Sequence, residues 1–462
     1  MLLFEEIGGV NVSLLWEVLE RSQTGPLMKE EEFETEFFPS KIKEIVREHG
    51  IKYDPEEVVM TDASMADEIF EAGLELLLEV GLYNKDTKRI VKFTEEEIKE
   101  VLATRKRELV LGEGRDQIAL RLRKPEDRDP PRTFLPAGIL TSNIELYKAY
   151  VLSAAKEPVA DGLIALPLQG IGDLKPTSET PSETLLGLTE GFILREAAVR
   201  VGRPGMYLGI PMSVSSAKAV MGSFHPAGYT RHNCMCPVHI IQDMRIDYDR
   251  LNLAFFAQQN GINPWISSCP TMYAYIGGPE EAAVEGIAHV LGMMAYSGGS
   301  FAQAMSATVE GRYEGRDVFW ANSAQALAAE RNIRVPWISY GGGVTGQQAT
   351  DVSFYAIAAT VITNTISGME GMWLTGGVPG IEGRWGGEVA RAAAGIKTSD
   401  GVEIVKELLA KYEGKVKVSL PSETLILEKY DMKTLKPGKE YLELYSRMKK
   451  ELQDRGLNYE AW

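Results

Sequence analysis

The sequence predicts an α/β fold: a (β/α)8 TIM barrel at residues 131–400, with an N-terminal helical extension (1–130) and C-terminal helices (401–462). Three observations carry that expectation. Short apolar runs alternate with longer patterns of helical period, and strands separated by helices favour parallel pairing, because a parallel crossover needs a dozen or more residues. Eight such units fit within residues 131–400, close to the ~250 residues of a typical barrel. An open doubly wound sheet would place a phosphate-cradling glycine turn after its first strand, and no G-x-G-x-x-G follows a strand here.

The elements follow in chain order. Ser13 to Arg21, Ser40 to His49 and Ser64 to Leu82 carry apolar residues at helical spacing. Thr94, with Glu97 three residues on, forms a capping box that opens a further helix with Ile98, Val101 and Leu102 on its inner face. The Pro- and charge-rich stretch from Arg123 to Pro131 breaks the pattern and marks a boundary. Strands are then expected at Phe134–Leu140, Leu163–Leu168, Gly205–Ile210, Cys236–Ile241, Trp265–Cys269, Phe301–Thr308, Val335–Tyr340 and Gly371–Thr375. The helical patterns between and after them are Asn143–Ala155, Ser182–Val201, Asp247–Gln259, Glu280–Ala295, Arg316–Arg331, Gln348–Thr365 and Gly387–Ala394. Val402–Tyr412 and Pro437–Arg455 continue as helices on the outside.

Composition excludes several classes. The 49 Lys and Arg against 65 Asp and Glu give a net charge of −16 spread along the chain. Nucleic-acid backbones need clustered cations, so no nucleic-acid partner is expected. No stretch reaches the ~18 uninterrupted apolar residues of a membrane span, and the opening residues 1–20 lack the basic n-region of a signal peptide. Three cysteines cannot build a disulfide framework, and the expected compartment is cytoplasmic. Apolar residues at 44% suffice for a large core.

Reacting groups in a barrel come from the carboxyl ends of its strands. His232 to His239 gathers two of the three cysteines and two of the five histidines within eight residues. If the segment is extended, His232, Cys234 and Cys236 share a face, and thiolates with imidazoles on one face can form a zinc shell. Cys269 ends the next strand and would lie beside Cys236. Against this stands the ordinary role of cysteine as a small buried hydrophobe. Glu310, past the sixth strand, is a candidate base, metal ligand or substrate anchor, with a solvated or ion-paired role as the alternative. Tyr340 and Gly341-Gly342-Gly343 end the seventh strand, where a glycine loop lets a ligand approach backbone. His289, in phase with Val284, Ile287 and Leu291, reads as a core histidine.

Several long segments resemble the archaeal monomethylamine methyltransferases, the pyrrolysine-containing enzymes of methylotrophic methanogens. They are Leu76 to Tyr83, Asp86 to Ile98, Val110 to Asp116, Gly202 to Met206 and Gly387 to Ile396. The resemblance implies a barrel in a homo-oligomer, a hexamer, that binds a methylated amine at its mouth. It also implies a cognate corrinoid protein as partner, whose Co(I) accepts the methyl group. In the family, pyrrolysine follows Arg-Pro-Gly-Met by two residues; here the run Arg203 to Pro211 puts Gly209 at that position. Two family glutamates fall at about Ser267 and at about Cys236 or Pro237.

The chain is therefore expected to be a corrinoid-protein-dependent methyltransferase without pyrrolysine, acting on a small methylated substrate such as a methylamine-like compound or a quaternary amine. Related methanol and methylthiol enzymes use zinc, which directs attention to Cys234, Cys236, His239 and Cys269 as metal ligands. Gly209, Ser267, Glu310 and Tyr340 complete the expected site, with Tyr207, Trp265 and Tyr340 as aromatic candidates to face a cation. A non-catalytic barrel that binds a corrinoid protein and a zinc hydrolase are the alternatives.

Overall fold

The computed structural model describes residues 13–342, 347–374, 378–418 and 421–459; Gly343, Thr375, Gly376 and Gly377 lie outside them. At its centre is a parallel sheet of seven strands: β1 (Arg132–Ala137), β2 (Gly162–Ala165), β3 (Cys236–Pro237), β4 (Pro264–Ser268), β5 (Ala302–Ala304), β6 (Trp337–Tyr340) and β7 (Gly371–Trp373). Their spatial order is β2-β1-β7-β6-β5-β4-β3, and every neighbouring pair is parallel. Pairing of the last strand with the first, Gly371 opposite Arg132, curls the sheet around on itself.

The closed eight-stranded cylinder expected from sequence needs correction. Gly205–Ile210 is not a strand; it spans the gap between β2 and β3 by single bonds. Leu163 N donates to the Tyr207 carbonyl (2.9 Å), Leu208 N to the Asn233 carbonyl (2.6 Å), and Met235 N to the Gly209 carbonyl (2.9 Å). The result is a seven-stranded partial barrel with one irregular stave. The cause is local: Gly209 has φ +71°, outside the β region, and Pro211 has no N–H for a ladder.

Helices α1 (Ala63–Val80), α2 (Ile144–Ala155), α3 (Pro181–Arg200), α4 (Tyr248–Asn260), α5 (Pro279–Ser297), α6 (Arg316–Ala328), α7 (Asp351–Ile366) and α8 (Gly380–Ala393) surround the sheet. Their caps follow the sequence: Asn143 accepts from Glu145 N and Leu146 N to start α2, and Asp247 accepts from Arg250 N to start α4. The capping box at Thr94 forms as its spacing predicts, with Glu97 N on the Thr94 hydroxyl and Thr94 N on the Glu97 carboxylate. Helix α8 begins at Gly380, earlier than its apolar periodicity indicates. Its glycines hide the pattern but bring the helix down onto the sheet, where a Cβ on Gly383 would sit 2.9 Å from Leu135 Cγ. Helices α9 (Thr398–Tyr412) and α10 (Lys439–Gln453) pack outside α7 and α8.

The first 130 residues are less helical than expected. They contain an antiparallel hairpin, Glu108–Leu111 with Ile118–Arg121, that periodicity alone does not reveal. Leu109, Leu111, Ile118 and Leu120 join Phe134, Ile164, Tyr207, Met235, Trp265, Phe301 and Ile338 in one buried cluster. These are the amino-end and middle positions of the strands, so the hairpin stoppers that end of the barrel. Among the described residues no helix is long and apolar enough to cross a membrane.

Candidate functional site

Side chains alternate along a strand, so the inward row is read from the core outward. Trp265, fully buried, is followed by Ser267 and Cys269; Phe301 by Gln303 and Met305; Ile338 by Tyr340. The outer members of these rows meet at the carboxyl ends of the strands, opposite the stoppered end.

Gln303 organises this mouth. Its amide oxygen accepts from Trp265 Nε1 (2.9 Å) and Ser267 Oγ (3.0 Å), which leaves its NH2 group toward Met305 Sδ at 3.7 Å. Both hydroxyl lone pairs of Ser267 remain for a ligand. Tyr340 stands between Tyr313 (ring centroids 5.1 Å apart) and Trp373 (5.4 Å, edge to face). Tyr207 and Trp265 lie fully buried in the barrel interior, so of the three aromatics expected to face a cation only Tyr340 is at the mouth.

Gly209 lies two residues after Tyr207 on the irregular stave, against Ile164 and Leu163 of β2. An added Cβ there would lie 3.0 Å from both Ile164 Cγ1 and the Leu163 carbonyl oxygen. The loop beyond it is gripped by two carboxylates spaced seven residues apart on the inner face of α3. Glu190 accepts from Met212 N (2.8 Å), Tyr229 Oη (2.6 Å) and Ser213 Oγ. Burial pushes its carboxyl up to about 7 against those donors. Glu183 accepts from the backbone and hydroxyl of both Ser215 and Ser216. Burial opposes its ionisation, but these donors hold it down at about 2. Neither residue is among the sequence candidates. The available signal is a pair of acids one heptad apart on an otherwise apolar helix face, followed by the Ser-rich run Ser213 to Ser216.

The expected metal shell does not form. Cys236 Sγ turns outward to the Leu253 carbonyl of α4 at 3.6 Å, and Cys234 packs in a different cluster with Leu208 and Tyr229. Burial pushes both thiols well up. Cys269 is pushed up to about 12 by burial despite a hydrogen bond with Tyr313. His239 is held neutral, pushed down to about 4 by burial and the nearby Arg250. Thiols that diverge into separate clusters do not form a zinc shell, and among the described residues no three His, Cys, Asp or Glu side chains gather to hold a metal. Alternation fails as a guide here because β3 is only two residues long and contains Pro237. Glu310 also departs from expectation: it is exposed at the tip of the tight turn closed by Gly311 N on the Thr308 carbonyl. His289 is a core histidine as expected, bonded to Ser268 Oγ at 2.7 Å and to Met244 N at 3.1 Å.

The profile of the monomethylamine methyltransferase MtmB family matches residues 14–457. Monomethylamine methyltransferase MtmB3 of Methanosarcina barkeri is 29% identical, over 96% of this chain and 98% of its own. MtmB of Methanosarcina mazei is 28% identical at the same coverage. The crystal structure of the Methanosarcina barkeri monomethylamine methyltransferase superposes with a TM-score of 0.89 at 26% identity, covering 96% of this chain and 98% of the other. The hydroxylamine complex of MtmB superposes with a TM-score of 0.88.

Proposed function

The chain belongs to the monomethylamine methyltransferase family, and from that premise we propose that it moves a methyl group from a small methylated ammonium compound to the cobalt of a cognate corrinoid protein, without pyrrolysine. The observation that carries this reading is Gly209. It has a backbone at φ +71°, an added Cβ would press on Ile164 and Leu163 at 3.0 Å, and a glycine offers no side-chain electrophile.

Without an electrophile to form an adduct, the leaving nitrogen must already be activated. A quaternary ammonium meets that need, because its nitrogen is cationic in the ground state. The C–N bond breaks with its electron pair staying on nitrogen, and a neutral tertiary amine departs. The partner's corrinoid cobalt supplies the nucleophile. This chain supplies position: the aromatic rim of Tyr313, Tyr340 and Trp373 attracts the cation. Ser267 and the Gln303 amide orient any polar substituent. Glu183 and Glu190 fix the loop that borders Gly209. Zinc has no part in this reading, because the available donors do not converge.

The test is a methyl-transfer assay with Co(I) cobalamin across monomethylamine, tetramethylammonium, betaines, methanol and methylthiols. Transfer from a quaternary donor and none from methanol is expected. Absence of transfer from every donor, with folding intact, would replace this reading with a barrel that binds its partner without turnover.

A further inference from the structure

A second cleft, of about 450 Å³, opens beside the mouth between the Arg312–Asp317 loop that leads into α6, the end of α9, and Tyr53 and Tyr273. Gly209, Ser267, Gln303 and Tyr340 do not line it. Its two cations are already engaged. Arg312 binds both oxygens of Asp317 (2.8 and 2.7 Å) and the Glu314 carbonyl (2.6 Å), while Arg316 Nε binds the Glu413 carboxylate at 3.0 and 3.2 Å. Gly315 is required by this arrangement, since a Cβ there would fall on the Arg312 guanidinium.

Two polar groups are left over. Glu314 is 2% exposed and Tyr412 is 1% exposed, yet Glu314 Oε2 and the Tyr412 hydroxyl have no hydrogen-bond partner among the described residues. Buried polar atoms are nearly always satisfied, so each of these two calls for a partner. Burial pushes the Glu314 carboxyl up to about 7, with Arg312 opposing. The lining carries three carboxylates against two guanidinium groups, so an ionised Glu314 leaves one uncompensated negative charge.

We propose that this cleft binds a small primary ammonium ion, which donates one N–H to Glu314 Oε2 and another to the Tyr412 oxygen. Tyr53 and Tyr273 flank its alkyl chain and add cation–π attraction. The volume falls within the ~300–1,000 Å³ usual for small-ligand sites. The assignment does not depend on the transfer reaction, because it requires N–H donors that a quaternary ammonium lacks.

Titration calorimetry of the full-length protein with n-butylammonium chloride tests it, with tetramethylammonium chloride as the control ion. Binding of n-butylammonium is expected to weaken about tenfold or more in Glu314→Gln and in Tyr412→Phe, as loss of a charge-assisted hydrogen bond dictates. Tyr340→Leu at the mouth should leave it unchanged. Thermal midpoints check that each variant folds, and Tyr412→Phe preserves the shape of the cleft if Glu314→Gln does not fold. No binding of n-butylammonium to the wild type, binding unaltered in both cleft variants, or loss of binding only in Tyr340→Leu would overturn the proposal.

Discussion

Replacing Gly209 with alanine adds one methyl group to the irregular stave. The new Cβ would lie 3.0 Å from Ile164 Cγ1 and 3.0 Å from the Leu163 carbonyl oxygen, closer than ordinary van der Waals contact. It would also hold an L-residue at φ +71°, a conformation that costs about 1–2 kcal/mol. Overpacking against a fixed neighbour costs about 1–3 kcal/mol more. Ile164 and Leu163 belong to β2, whose ladder prevents easy retreat, so the sum is about 2–5 kcal/mol. Urea unfolding of the two proteins in parallel measures it as a shift in midpoint at constant m. Hydrogen exchange supplies a local readout, because the Met235 amide bonds to the Gly209 carbonyl and should exchange faster in the variant. An alanine variant within ~0.5 kcal/mol of wild type, with Met235 still protected, would refute the claim that the backbone here is reserved for glycine.

The other predictions are briefer. Glu183 titrates at about 2 when folded, below its ordinary 4.5. Its stabilising contribution is thus complete above that ordinary value and lost as pH falls toward 2, on the order of 3 kcal/mol in all. Glu183→Gln should flatten stability against pH in that window, and an unchanged slope would count against the assignment. Gln303→Leu strands the Trp265 indole N–H and the Ser267 hydroxyl, and should cost about 1–3 kcal/mol; chemical unfolding followed by tryptophan fluorescence measures it. Tyr340→Leu should raise KM for a quaternary donor several-fold with little change in kcat, and an equal fall in kcat would move Tyr340 from binding to chemistry. Protein purified without added metal should carry no stoichiometric zinc by elemental analysis. A 1:1 content that disappears with Cys234→Ala would show that the thiols do converge.

What the sequence conveyed best was local. Asn143, Asp247 and the Thr94–Glu97 pair start helices through contacts within a single turn, so three or four residues suffice to read them. Seven of the eight expected strands were legible as apolar runs for the same reason. The third failed because an apolar run does not reveal that Gly209 takes φ +71°, and Pro211 then offers no N–H to a ladder. The site divides in the same manner. Ser267 and Tyr340 come from strands whose alternation is regular, and they do reach the mouth. Cys234 and Cys236 come from a segment where Pro237 and a two-residue strand break that alternation, and their thiols diverge. Glu310 and Glu314, four residues apart on one loop, are exposed and buried respectively, a contrast set by the Arg312–Asp317 pair and helix α9 rather than by composition.

The hairpin wedged beneath the strands plugs one end of the partial barrel. Among the described residues, Leu109, Leu111, Ile118 and Leu120 pack with Phe134 and Trp265 and fill that floor. Under the proposed transfer, methyl donor, demethylated product and docking partner would then share the opposite end, the one lined by Ser267, Gln303 and Tyr340.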